Sequence, residues 1–256
     1  MSTYRVSNIG WVVLYLFALM ACSPAKEHAH VEGTLIPVDR EHSAAKDHLI
    51  DSVISIYRAD LEKEMAEVLA YSAQIMTRGT PEALLNNFVA DLSLNLGHEL
   101  YRPADARPID FCLLNYGGLR APIPKGPVTR ANIFELMPFE NELVVLTLSA
   151  EKTLELFDYL ASASVGMPVS GLRMSIRDEE VREVSINGAP FDPERPYKVL
   201  TTDYLAGGGD NMTFFLDPLN TEYLGIRLRD AIILHLQRQH GKGEEIKSKL
   251  DGRISY

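Results

Sequence analysis

The chain has 256 residues, 46% of them hydrophobic and 23% charged, an ordinary globular balance with room for one large domain or two small ones. Its formal net charge of −10 excludes non-specific nucleic-acid binding, which needs a basic face, but not a small anion held by a local pair of arginines. With only two cysteines, the chain has no disulfide framework to stand in for a hydrophobic core.

Residues 1–21 read as an export signal: Arg5 supplies positive charge, and the apolar run 11–21 is too short and too early for an ordinary spanning helix. The run ends Leu19-Met20-Ala21-Cys22, which resembles the bacterial lipobox. That resemblance implies cleavage before Cys22, lipid on its thiol, and an exported lipoprotein of the cell envelope. Ser23 points to the outer rather than the inner membrane. A plain secretory signal with an incidental cysteine is the alternative. With Cys22 lipidated, Cys112 has no partner; in the apolar run 111–114 it reads as a small buried residue without a catalytic role.

Residues 22–46 are polar and aperiodic, as expected of a flexible tether. They include His28-Ala29-His30-Val31-Glu32, either a metal-binding cluster or a solvated stretch of linker. The linker reading is preferred, because a mobile segment loses entropy when it orders around an ion.

The folded region is expected over 47–256. A helix over 47–63 places Leu49, Val53, Ile56, Tyr57 and Leu61 on one face, and 65–70 either continues it or begins a strand. Thr80, Pro81 and Glu82 look like the N-cap and first turn of a second helix, whose stripe runs Leu84, Leu85, Phe88, Val89, Leu92 and Leu96. A short buried strand over 111–114 feeds the loop Asn115-Tyr116-Gly117-Gly118-Leu119-Arg120. Thr129 caps a helix through Leu136, and Pro138 ends it, leaving Phe139 on a loop. Residues 142–148 alternate like a strand, and Ser149 caps a helix through Ser162. Strands over 171–177 and 181–186 flank the turn Asp178-Glu179-Glu180, and Asn187-Gly188 marks another turn. A strand over 197–202 leads to a second glycine loop, Tyr204-Leu205-Ala206-Gly207-Gly208-Gly209-Asp210, and a final helix covers 225–239. Interleaved strands and helices predict an α/β (α+β) fold with a mixed sheet flanked by helices. Both glycine loops follow strands, so both can open at one sheet edge, the usual place for a ligand crevice.

Glycine admits positive φ and close approach to the main chain, and each loop ends in an uncrowded charge, Arg120 or Asp210. A guanidinium and a carboxylate together suit a ligand carrying phosphate and hydroxyls. Residues 115–120, Leu136-Met137-Pro138-Phe139 and residues 204–210, in this order and spacing, resemble the C-terminal, substrate-recognising domain of the bacterial and animal 5′-nucleotidases. The likeness runs from about residue 48 to the Asp251-Gly252-Arg253-Ile254 ending.

The resemblance implies a nucleobase sandwiched between Phe139 and Tyr204, where the family usually has phenylalanine at the second position. It places Asn115 near the base, Asp210 on the ribose hydroxyls and Arg120 on the phosphate side. Gly117, Gly118, Gly207, Gly208 and Gly209 would clear space. From chemistry alone, Asn115 can instead stabilise its turn, Asp210 can cap the backbone, and Phe139 can be a core aromatic. A further family arginine aligns with Gly79 by direct counting, and with Arg78 only if one residue is skipped.

The full enzymes of that family hydrolyse phosphate esters in a separate two-metal domain, marked by Asp-x-His, Gly-Asp-x-x-Asp, Gly-Asn-His-Glu and Gly-His-x-His. None of these is in this sequence; Gly209-Asp210-Asn211-Met212-Thr213 and Leu96-Gly97-His98-Glu99 are incomplete matches. His48, His98, His235 and His240 are scattered among helical segments. The expectation is a nucleotide-recognising chain with no metal or cofactor of its own, the divalent metals belonging to a separate metallophosphatase chain. The alternatives are a non-catalytic nucleotide- or nucleoside-capturing surface lipoprotein, or a structural lipoprotein with a vestigial pocket.

Overall fold

The computed structural model describes Gly33, Leu35 and residues 48–256. The export signal, Cys22 and the 28–32 cluster lie outside the described residues. The chain separates into two units, Met1–Asp51 and Ser52–Tyr256, and the elements from β1 onward belong to the second.

Helix α1, His48–Met65, carries the expected apolar face, but none of its residues is buried. Strand β1, Val68–Ser72, starts inside the stretch that sequence left between helix and strand, and buries Leu69 and Ala70. Helix α2, Leu84–Leu100, begins later than the Thr80 cap predicted, with Ala83 at its N-cap and no side-chain capping bond. Tertiary partners take the residues that looked like the cap. Thr80 Oγ1 accepts from the Gly166 amide at 2.9 Å, and the Glu82 carboxylate accepts from the amides of Asp251 and Gly252 at 2.8 and 2.9 Å.

Strand β2, Phe111–Leu113, precedes a 3-10 turn at Tyr116–Gly118. Strand β3, Gly126–Thr129, pairs antiparallel with β1 and leads into α3, Arg130–Leu136. Thr129 caps α3 as expected, reciprocally with Asn132. Strand β4, Glu142–Leu148, is followed by α4, Ala150–Ser162, whose Lys152 amide donates to Ser149 Oγ at 3.2 Å. Then come β5, Val169–Ser170, β6, Leu172–Arg177, β7, Glu180–Ile186, and β8, Ala189–Pro190. Asp178 and Glu179 join β6 to β7 with φ of 54° and 60°, and Asn187 and Gly188 join β7 to β8 with 51° and 81°, the paired left-handed residues of tight hairpins.

Strand β9, Tyr197–Thr202, runs into a helical turn α5, Asp203–Ala206. The final helix, α6, is Leu228–Gly241, because residues 225–227 belong to β10, Asn220–Arg227. Sequence reading missed β10, an edge strand with no fully buried residue and therefore no apolar run. Strand β11, Ile254–Ser255, adds in parallel to β6.

The central sheet has the order β10-β4-β9-β2-β5, with β2 and β9 parallel and β4 antiparallel to both of its neighbours. Its alternation builds two cores. Cys112, Leu143, Val145 and Leu200 face α2, α3 and α6, while Phe111, Val144, Leu146 and Val199 face α4 and the β6–β7 hairpin. The result is the mixed α/β fold read from sequence.

Candidate functional site

Topology gathers the functional loops. Strands β2 and β9 are parallel neighbours, so their C-terminal ends, and the two glycine loops after them, open at one sheet edge. Strand β4 runs the other way, with Leu143 opposite Thr202, so its N-terminal end lies at that same edge. Phe139, on the short loop before β4, is thereby brought there too.

In the first loop, Asn115 is nearly buried, and Gly118 explains how its side chain folds back over the turn. A Cβ at Gly118 would stand 2.8 Å from Asn115 Oδ1, whereas one at Gly117 would meet nothing closer than 3.7 Å. Two arginines grip this turn. Arg78 Nη1 donates to Leu119 O at 2.9 Å and Tyr116 O at 3.2 Å, and its guanidinium lies 4.4 Å from the Tyr116 ring centroid. Arg120 Nη1 donates to Gly117 O at 3.4 Å, and its amide donates to Leu136 O at 2.8 Å, tying the turn to the end of α3. Arg78, reached in the family count only by skipping one residue, thus contacts this loop with its side chain.

In the second loop Gly208 takes φ 82°, and Asp210 and Asn211 follow at 54° and 60°. A Cβ at Gly209 would sit 2.5 Å from Cε1 and Cζ of Tyr204, so glycine lets that ring lie against the loop. Gly207 has ordinary space, with its nearest neighbours at 3.6 Å. The Asp210 carboxylate accepts from Asn115 Nδ2 at 2.7 Å on one oxygen and from the Tyr204 hydroxyl at 2.8 Å on the other. The hydrogen bond to Asp210 pushes the Tyr204 hydroxyl above its ordinary pKa. Tyr159, from α4, donates to the Asp210 carbonyl at 3.1 Å; burial first, and the Asp210 charge second, raise its pKa.

Asn115, Tyr204 and Asp210 thus form one hydrogen-bonded group drawn from both loops. Phe139, 40% exposed, stands on a third loop at the same sheet edge, and Tyr204 is 46% exposed. The Phe139 loop is held by a residue that sequence reading did not single out. Arg229 of α6 is 5% exposed; it donates to Met137 O and Phe139 O, each at 3.4 Å, pairs with Glu140, and stands 4.3 Å from the Phe134 ring centroid. The hydrogen bond from Arg229 pulls the Glu140 carboxyl below its usual pKa. The available signal was an arginine beside the apolar residues that open the last helix, legible only once the helix phase is known. Tyr159 carried no signal beyond its place in an amphipathic helix.

Burial pushes the Cys112 thiol far up in pKa, as suits an inert core residue. Among the described residues no group of three or more His, Cys, Asp or Glu side chains is arranged to hold a metal ion, and no helix is long and apolar enough to cross a membrane.

The molecule is thus a mixed-sheet α/β protein that opens two glycine loops and an aromatic loop at one sheet edge. The family model described as "5'-nucleotidase, C-terminal domain" matches residues 63–217, and the chain belongs to that family. It is 26% identical over 191 residues to an apyrase of Tabanus yao, covering 65% of this chain and 34% of that protein. It is 27% identical over 239 residues to the trifunctional nucleotide phosphoesterase protein YfkN of Bacillus subtilis, covering 86% of this chain and 16% of that one. Among solved structures, a 5′-nucleotidase precursor from Thermus thermophilus superposes with a TM-score of 0.65 at 26% identity, covering 83% of this chain and 44% of that chain. The chain therefore spans less than half the length of these relatives.

Proposed function

We propose that the edge shared by the two glycine loops binds a nucleotide or nucleoside. The base stacks between Phe139 and Tyr204, Asn115 reads the base edge, and Asp210 takes the ribose hydroxyls. Arg120 and Arg78 face the phosphate. The observation that carries this reading is the hydrogen-bonded Asn115–Asp210–Tyr204 group, which joins both loops at a partly exposed aromatic ring. Stacking on an aromatic ring tolerates every base, so the site selects the nucleoside framework before any particular base.

The chain then serves as the recognition half of a nucleotide-degrading hydrolase. It works with a separate metallophosphatase chain that contributes the divalent metals and the attacking hydroxide. The lipobox-like sequence at Cys22 supports tethering of the pair to the cell envelope, at the outer membrane. A capture lipoprotein without turnover is the second reading, favoured by the missing two-metal signatures.

Isothermal titration with AMP and adenosine tests the site. Phe139→Ala and Asp210→Ala each weaken binding by at least ~1 kcal/mol, the low end for a lost stack or charged hydrogen bond. Absence of heat with both ligands, on folded protein, removes the nucleotide reading. Hydrolysis of AMP with added divalent metals only when a metallophosphatase is present establishes the two-chain enzyme; binding without turnover under any pairing leaves capture.

A further inference from the structure

Tyr204 and Asp210 satisfy each other in the free protein. The Tyr204 hydroxyl sits 2.8 Å from Asp210 Oδ1, while Asn115 Nδ2 holds Oδ2 at 2.7 Å. The ring is laid down on the loop, so close to Gly209 that a single added carbon there would collide with its Cε1 and Cζ. Asp210 is itself pinned from behind, in a left-handed backbone conformation with its carbonyl accepting from Tyr159. The main chain of Asp210 is thus fixed from one side while its carboxylate carries Tyr204 and Asn115 on the other. Its two oxygens therefore meet an incoming ligand with a donor already on each.

We propose that the Tyr204 hydroxyl is a specificity-determining group that competes with the ligand's vicinal diol for Asp210. This inference rests on the nucleoside reading of the site. Oδ1 keeps a second lone pair, so a ribose hydroxyl either displaces the tyrosine hydroxyl or shares the oxygen with it, and in both cases the bond already there offsets part of what the diol gains. A sugar lacking both hydroxyls stacks its base without displacing anything. Phenylalanine at this position would keep the stacking face and leave Oδ1 open to the sugar. The tyrosine thus lowers the preference of the site for ribonucleosides over sugars without a diol, and makes the affinity depend chiefly on the base.

The test is titration of the full folded chain and its Tyr204→Phe variant with adenosine and with 2′,3′-dideoxyadenosine, melting curves first confirming that both are folded. Tyr204→Phe should tighten adenosine binding roughly threefold to tenfold, the range of one net hydrogen bond. It should leave dideoxyadenosine within about twofold of wild type, for the same reason. In an Asp210→Ala background the same substitution should have no effect on adenosine, since the competitor has lost its target. If wild type binds adenosine but Tyr204→Phe leaves that affinity unchanged or weaker, the competition is refuted while the nucleoside site stands. Equal tightening of both ligands refutes it as well, because the gain would then come from the ring and not from the diol. If wild type binds neither ligand, the site reading and this inference fall together.

Discussion

Glycines in the two loops differ in what they are for. Gly118 makes room for the Asn115 side chain and Gly209 for the Tyr204 ring, so these two shape the protein's own functional groups. Gly117 has ordinary space around it. Gly118→Ala should therefore push Asn115 off Asp210 and weaken AMP binding by roughly 1 kcal/mol, one hydrogen bond's worth, with Gly117→Ala changing it by less than about half of that. Titration of the two variants side by side checks the contrast. Asn115, Arg120, Phe139, Tyr204 and Asp210 came together as a candidate set through the family resemblance, residue chemistry alone leaving structural alternatives for Asn115, Phe139 and Asp210. That Tyr204 and Asp210 hold each other was not legible. It depends on a ring lying across a turn, which no one-dimensional pattern records.

Capped helices were found where local chemistry decides them and misread where tertiary contacts do. Thr129 and Ser149 cap α3 and α4 because nothing else competes for their oxygens. Thr80 fails as a cap because Gly166 claims its hydroxyl. Strand β10 was invisible for a related reason: an edge strand that buries little has no apolar run to betray it. Helix α6 reaches the site through Arg229, a positioning residue for the Phe139 loop. Arg229→Gln should lower the melting temperature and weaken AMP binding, by no more than the ~1–3 kcal/mol of a full stack. In a Phe139→Ala background the melting effect should persist while the binding effect disappears, a separation that calorimetry and titration together can read.

In the molecule as a whole, the face of the central sheet away from the β6–β7 hairpin is closed by α2, α3 and α6, and the C-terminal segment that follows α6 ends by adding β11 to β6. Arg253 fastens that segment: it is nearly buried, and donates to Asp91 at 2.7 Å, Asp251 at 2.9 Å and the Val169 carbonyl at 2.8 Å. A cavity of about 580 Å³ lies beside it, lined by Phe88, Asp91, His235 and residues 244–249. His235 packs edge-on against Phe88, with ring centroids 5.6 Å apart, and burial first, then the nearby charges of Lys242 and Arg238, lower its pKa. The folded state thus takes up a proton there less readily than the unfolded chain. His235 therefore adds no penalty above the unfolded value near 6.5, and its contribution to stability falls as the pH drops below that value. Melting temperatures measured at pH 7.5 and 5.5 should show a smaller loss for His235→Gln than for wild type.

Arg229 also bears on where this domain ends. The family match stops at residue 217, and every residue proposed to touch the nucleotide lies inside it. The guanidinium that fixes the Phe139 loop, the edge strand that covers β4 and the Arg253 fastening all lie beyond it. A boundary drawn by sequence similarity would keep all the proposed ligand contacts and discard part of the frame that gives those residues their positions. The buried cation that meets the carbonyls of the aromatic loop is thus supplied from beyond the matched stretch, while Arg78 and Tyr159 hold the glycine loops from within it.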